Sequence, residues 1–204
     1  SKLGMIRRRW RLACQPDAGL HILFDEDAGM GNVILYIAAS LDGFIARRDD
    51  DISWLTAYNG PDEDYGYAEF YAGVGAVILG ARTYREVLGF GAWPYAGKTT
   101  YIVTTRPLDA RPDAAIQAFT GDMADLVAQI RRATDQDIWL VGGGRLLTAF
   151  SNQRLVDEII LTLVPLILGD GIPLFQGSAV EQSLQLTGSQ VYANGLVQLR
   201  YRRA

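Results

Sequence analysis

Cysteine and histidine are nearly absent from this chain of 204 residues, which holds one of each, Cys14 and His21. A single thiol excludes an intrachain disulfide and fits a reducing, cytoplasmic setting. One thiol and one imidazole also exclude a Cys/His zinc cluster and Cys-His or Ser-His catalytic machinery, so no metal site is expected. No apolar run approaches the ~20 residues of a membrane span, and no membrane partner is expected. The net charge of −4 leaves no excess of positive charge, which argues against broad nucleic-acid binding. What is there in quantity is 49% hydrophobic and 21% charged residues, the composition of a globular protein with one sizeable core.

The N-terminal stretch "MIRRRWRLACQPDAGLHILFDEDAG" places four arginines around Trp10. No continuous 7–15-residue apolar region follows them, so no secretory leader is expected. Two readings stay open: a basic arm for a partner, DNA included, or an extension over residues 1–30 ahead of a domain over 31–204, with "LHILF" available as an edge strand.

From Asn32 onward strands and helices alternate. "VILYIAA" (33–39) reads as a strand buried on both faces, and "SLDGFIA" as the loop after it. "PDEDYGYAEFYAGV" begins with Pro61 and three acids, which suits a helix N-terminus. "AVILG" and "ARTYREVL" predict a strand and a short helix, "TYIVTT" and "AIQAF" two further strands. "DMADLVAQIRRAT" predicts a helix with Asp122 near its start and Arg131 and Arg132 near its end, as the helix dipole favours. "DIWLV" is the next strand and "RLLTAFSNQ" the next helix. "VDEIILTLVPLIL" is apolar enough to suggest a strand at a subunit face. Asn194-Gly195 marks a closing hairpin. This order predicts an α/β fold whose mostly parallel sheet is covered on both faces, with antiparallel strands at one end. Ligands on such sheets bind at strand C-terminal ends near a switch in strand order.

Between strand and helix, "IWLVGGGRLL" (138–147) gives up three consecutive side chains. Gly142, Gly143 and Gly144 permit backbone angles closed to other residues and let N–H groups approach a ligand. A helix beginning at Arg145 offers unpaired N–H groups and a positive dipole end to phosphate. The spacing matches neither G-x-G-x-x-G nor the Walker pattern, so a ligand corner and a plain tight turn stay open on these residues alone.

"AASLDGFIA", "VILGARTY", "IVTTRP", "WLVGGGRLL" and "LTLVPLILGDGIPLF", in this order from Val33 to Phe175, resemble the dihydrofolate reductase superfamily. The closest likeness is to its branch with the reductase domain of the bifunctional riboflavin-biosynthesis deaminase/reductase and that domain's stand-alone relatives. The resemblance implies a dihydrofolate-reductase-like three-layer αβα fold, a homodimer, and NADPH bound across the sheet ends. It implies a pyrophosphate turn at Val141, Gly142, Gly143, Gly144 and Leu146, with a cis peptide between two of the glycines. A second phosphate-binding helix start is implied at Gly80, Arg82 and Thr83, and an adenosine end at Thr104, Thr105 and Arg106. Ala38 would bond the nicotinamide carboxamide and Ile45 would pack on its ring. Tyr36 stands where the riboflavin-pathway reductases usually carry lysine, and the deaminase signatures H-x-E and P-C-x-x-C are absent.

The implied activity is an NADPH-dependent reductase that passes hydride to a C=N or C=O carbon of a pteridine, pyrimidine or sugar-like small molecule. The alternative is a non-catalytic nucleotide-binding module. With His21 outside these motifs, Asp42 and Asp64 are the candidate proton donors, expected to carry raised pKa values in a partly apolar pocket. Asp42 also suits a turn and Asp64 a helix N-terminus. Arg82 and Arg106 are either cofactor contacts or solvated charges, and Trp54, Tyr65 and Phe70 either line a flat slot or belong to the core.

Overall fold

The computed structural model describes residues 30–58, 63–108 and 114–204. The arginine-rich stretch, "LHILF" and Pro61 lie outside them. Strand β1 (Val33–Ser40) leads to a short β2 (Phe44–Ala46), a 3-10 helix (Ser53–Tyr58) and α1 (Tyr67–Gly73). Then come β3 (Val74–Gly80), α2 (Ala81–Leu88), β4 (Thr99–Val103), β5 (Ile116–Phe119), α3 (Met123–Ala133), β6 (Asp137–Gly142) and α4 (Gly144–Asn152). The chain ends with β7 (Glu158–Val164), β8 (Ile172–Pro173), β9 (Leu184–Val191) and β10 (Val197–Arg203).

Eight strands form one sheet in the order β5-β4-β3-β6-β1-β7-β10-β9. Pairing is parallel from β5 through β7 and antiparallel at β7–β10 and β10–β9. Because successive side chains on a strand point to opposite faces, each central strand feeds two cores. Leu35, Ile78, Tyr101 and Leu140 pack with Leu126 and Ile130 of α3 and Leu147 and Phe150 of α4. Val77, Leu79, Ile102 and Trp139 pack on the other face with Tyr84 and Val87 of α2 and the aromatics of α1. The result is the expected three-layer α/β arrangement with an antiparallel C-terminal pair.

Three local expectations change. "SLDGFIA" is not wholly loop, since β2 within it pairs with β8. Helix α1 starts only at Tyr67, because Tyr65 and Gly66 have φ of 56° and 76°, outside the range that continues a right-handed helix. Strand β4 stops at Val103, leaving Thr104 and Thr105 beyond it.

Candidate functional site

The strand order reverses around β1, β6 and β3: the chain runs outward from β3 to β5, then returns to insert β6 beside β1. At the C-terminal ends of these strands lies a cavity of about 900 Å³, within the size range of cofactor sites. Ala38 at the end of β1, Gly80, Arg82 and Thr83 at the β3–α2 corner, and Val141, Gly143, Gly144 and Leu146 at the β6–α4 corner line it. Ile45 covers it together with Ile52 and Leu55.

The β6–α4 corner explains its glycines one at a time. Gly142 has φ +124°, where L side chains are strained. A Cβ on Gly143 would meet Thr83 Oγ1 at 3.2 Å, and one on Gly144 would lie 2.5 Å from the carbonyl oxygen of Pro173. The Gly142–Gly143 peptide is cis, as the resemblance implied. Thr148, one turn into α4, donates to Gly144 O at 2.9 Å and accepts from Gln176 N at 2.8 Å, which locks the corner to the segment after β8.

Both α2 and α4 begin at the cavity, with Gly80 and Gly143 as N-caps and no side chain capping either helix. Their first N–H groups and positive dipole ends therefore face the same space. Three arginines, Arg82, Arg85 and Arg145, line it against two carboxylates, Asp50 and Asp122. Asp122 is engaged as the N-cap of α3, accepting from Ala124 N at 2.8 Å. Arg85, Arg145, Asp50 and Asp122 were not among the expected site residues. Arg145 directly follows the glycines, and Arg85 lies one helical turn from Arg82, so both had a sequence signal; Asp50 had none.

Gly142 stands behind the wall, and Thr104, Thr105 and Arg106 are not part of it. With β4 ended, Thr104 N donates to Phe119 O at 2.9 Å, and its hydroxyl accepts from Arg106 N at 3.0 Å. Thr104 and the backbone of Arg106 are thus engaged in a turn, and Gly121, Asp122 and Met123 at the start of α3 line that end of the cavity.

The two candidate acids correct the expectation most clearly. Asp42 accepts from the Ser40 hydroxyl at 2.6 Å, from Gly169 N at 2.7 Å and from Leu168 N at 3.1 Å. Asp64 accepts from Gly66 N at 2.9 Å and from Ala68 N at 3.0 Å. Donors aimed at a carboxylate stabilise its charged form. The Ser40 bond first holds Asp42 below the usual range, and the Ala68 and Gly66 amides do so for Asp64. Neither acid lines the cavity, and neither keeps a proton near neutrality. Asp42 shapes a turn and Asp64 supports a helix start.

The aromatic slot is core as well. Trp54 is buried with Val164 and Leu196, and Tyr65 packs against that cluster. Phe70 stacks on Tyr36 at 4.5 Å. The Tyr36 hydroxyl donates to Tyr65 O at 3.1 Å, and burial raises its pKa. Among the described residues no group of three His, Cys, Asp or Glu is placed to hold a metal ion. No helix among them is long and apolar enough to cross a membrane.

The chain is similar to the uncharacterized protein YwjB of Bacillus subtilis (strain 168), with 38% identity over 172 residues, covering 84% of this chain and 97% of that one. Among solved structures it is similar to a Shewanella sp. PV-4 protein provisionally named for riboflavin biosynthesis. That match has 28% identity and a TM-score of 0.77, covering 86% of this chain and 99% of the other. A dihydrofolate reductase of Enterococcus faecalis, solved with NADP(H), shares the fold at a TM-score of 0.57 and 13% identity, covering 85% of this chain and 97% of its own. A profile of the RibD C-terminal domain matches residues 32–198; the chain belongs to that family.

Proposed function

We propose that the chain is an NADPH-dependent reductase acting on a small heterocyclic or sugar-like substrate with a reducible C=N or C=O bond. The observation that carries this reading is the convergence of two side-chain-uncapped helix N-termini and three arginines on one cavity at the switch in strand order. Dinucleotide pyrophosphate is the ligand such an arrangement suits.

The residues present fit the group. The N–H groups that begin α4, with Arg145, would hold the pyrophosphate, and Thr83 at the start of α2 stands beside them. Ala38 offers main-chain groups at the end of β1, and Ile45 an apolar cover over the reacting end. Bound there, NADPH supplies a hydride. The protein's part is to orient it, exclude water beneath Ile45, Ile52 and Leu55, and keep the donor and acceptor together. Asp42 and Asp64 are ionised and off the cavity, and no tyrosine among the described residues lines it, so the accompanying proton comes from water.

The test is titration of the protein with NADPH and NADH, followed by NADPH oxidation with a panel of pterins and pyrimidine ribosides. Micromolar NADPH binding with turnover on a panel member is the expected outcome. Binding without turnover on any of them favours the non-catalytic nucleotide module. Arg145→Ala should weaken NADPH about tenfold, the loss of one charge-assisted bond.

We propose further that two copies associate through the part of the sheet that no described helix covers. Leu161 and Leu163 of β7 are paired with Leu199 and Val197 of β10, and all four are only partly buried. Val191 and Leu186 of β9 continue the same face, 69% and 53% exposed. Among the described residues no helix covers this apolar surface, and a second copy does so by symmetry.

A further inference from the structure

The turn that follows β2 carries a carboxylate into a cavity whose other charged groups are mostly cationic. Residues 47–51 close tightly: Arg47 N donates to Asp51 O at 3.0 Å and Asp50 N to Arg47 O at 3.1 Å, and Arg47 pairs with Asp51 at 2.9 Å. Within this turn Asp50 has φ +69°, a conformation that a residue with a Cβ enters at a cost. Its side chain is only 18% exposed and reaches the start of α2, where Oδ2 accepts from Arg82 Nη2 at 2.7 Å and from Nε at 2.8 Å. Arg82 Nη2 also donates to Arg48 O at 3.3 Å.

Ile45, Ile52 and Leu55, on either side of the turn, form the apolar cover. Among the described residues, the Asp50–Arg82 pair is the one ion pair joining that cover to a cavity wall. Arg82 is therefore not a free cation waiting for a ligand. A phosphate group that reaches Arg82 meets Asp50 there first, and two anions on one guanidinium repel each other across a few ångströms. The stronger, more highly charged acceptor prevails. Release of the carboxylate also lets Asp50 leave its left-handed backbone conformation.

We propose that Asp50 is a stand-in for a ligand phosphate: it neutralises Arg82 within the cavity, yields it when a phosphate group arrives, and so couples the position of the 47–51 turn to anion binding. This rests on the reading of the cavity as a dinucleotide site. Asp50 then sets affinity from inside the protein. It lowers the net attraction of the cavity for any anion, so that only a ligand with several simultaneous contacts is held, which discriminates against inorganic phosphates.

The experiment is calorimetric titration of the full chain with NADPH and with inorganic pyrophosphate, for the wild type, Asp50→Asn and Asp50→Gly. Hydrogen exchange of residues 47–51 is followed with and without NADPH. Glycine accepts φ +69° without strain, so Asp50→Gly keeps the turn should the amide variant fold poorly. Both variants should bind NADPH about three- to tenfold tighter, the loss of one displaceable ion pair, with a proportionally larger gain for pyrophosphate. In the wild type the amides of the turn should exchange faster once NADPH is bound. Unchanged or weaker NADPH binding by both variants, or slower exchange of the wild-type turn on binding, overturns the inference and makes Asp50 a residue that orients Arg82 for the ligand. Wild-type protein that binds neither NADPH nor pyrophosphate overturns the dinucleotide reading and this inference with it. Tight wild-type binding with unchanged variants overturns the inference alone.

Discussion

Three adjacent glycines serve three different needs, and substitutions should separate them. Gly144→Ala places a methyl group 2.5 Å from the Pro173 carbonyl, a backbone atom that cannot swing away, so a stability loss of about 1–3 kcal/mol is expected in denaturant unfolding. Gly143→Ala meets only the Thr83 hydroxyl at 3.2 Å; it should leave the melting temperature nearly unchanged and weaken NADPH, since the new methyl stands on the cavity wall. Asp42 makes a pH-dependent claim. Its folded pKa is lowered, first by the Ser40 hydroxyl and then by the Leu168 and Gly169 amides. Its contribution is therefore present above its unfolded pKa of about 3.9 and disappears as pH falls through the lower folded value. Asp42→Asn should melt below the wild type at pH 7, and the difference should narrow below about pH 4. At this scale the sequence was legible wherever one residue's own geometry decides, as at the glycine corner. It was illegible for the pairing of Asp50 with Arg82, because an ion pair between residues 32 positions apart leaves no periodic or spacing signal.

Elements were legible where periodicity ran for several residues. Strand β3, with four consecutive fully or nearly fully buried residues from Ala76 to Leu79, and α3, with Asp122 at its cap, lie where the apolar patterns put them. Ends and short pieces were not. Only backbone pairing with Ile172–Pro173 makes β2 a strand, and the left-handed Tyr65–Gly66 step delays α1. The loss of Thr104, Thr105 and Arg106 from the wall has the same origin: where β4 stops decides which side chains reach the cavity. Tertiary bonds also place α4. Thr148→Val keeps the volume but removes the acceptor for Gln176 N and the donor to Gly144 O, so about 1–3 kcal/mol of stability should be lost, with weaker NADPH binding in the same titration because the corner is no longer held against the segment after β8.

For the molecule as a whole, strand alternation foretold a parallel sheet with an antiparallel end, and five motifs in register foretold the family. The order of the strands was not visible, since it depends on which edges the connections leave open. The face of β7, β10 and β9 that no described helix covers predicts a dimer in sedimentation analysis. Leu199→Arg, which places a charge at its centre, should give monomers that retain NADPH binding, because the substitution is remote from the cavity; a wild-type monomer at micromolar concentration would refute the interface. The strand order has a consequence for how the chain acquires its structure. Strands β1 and β3 have no direct contact along their edges; both wait for β6, which joins Val33 to Ile138, 105 residues later, and Ala76 to the same residue. Closing so long a loop before any reward in pairing slows folding. During synthesis, β1 and the β3–β4–β5 group would emerge without the strand that joins them, and the central seam would close only after residue 142 has left the ribosome. A fragment ending at residue 136 should therefore show no cooperative unfolding transition and should aggregate, even though it contains every strand on one side of the seam.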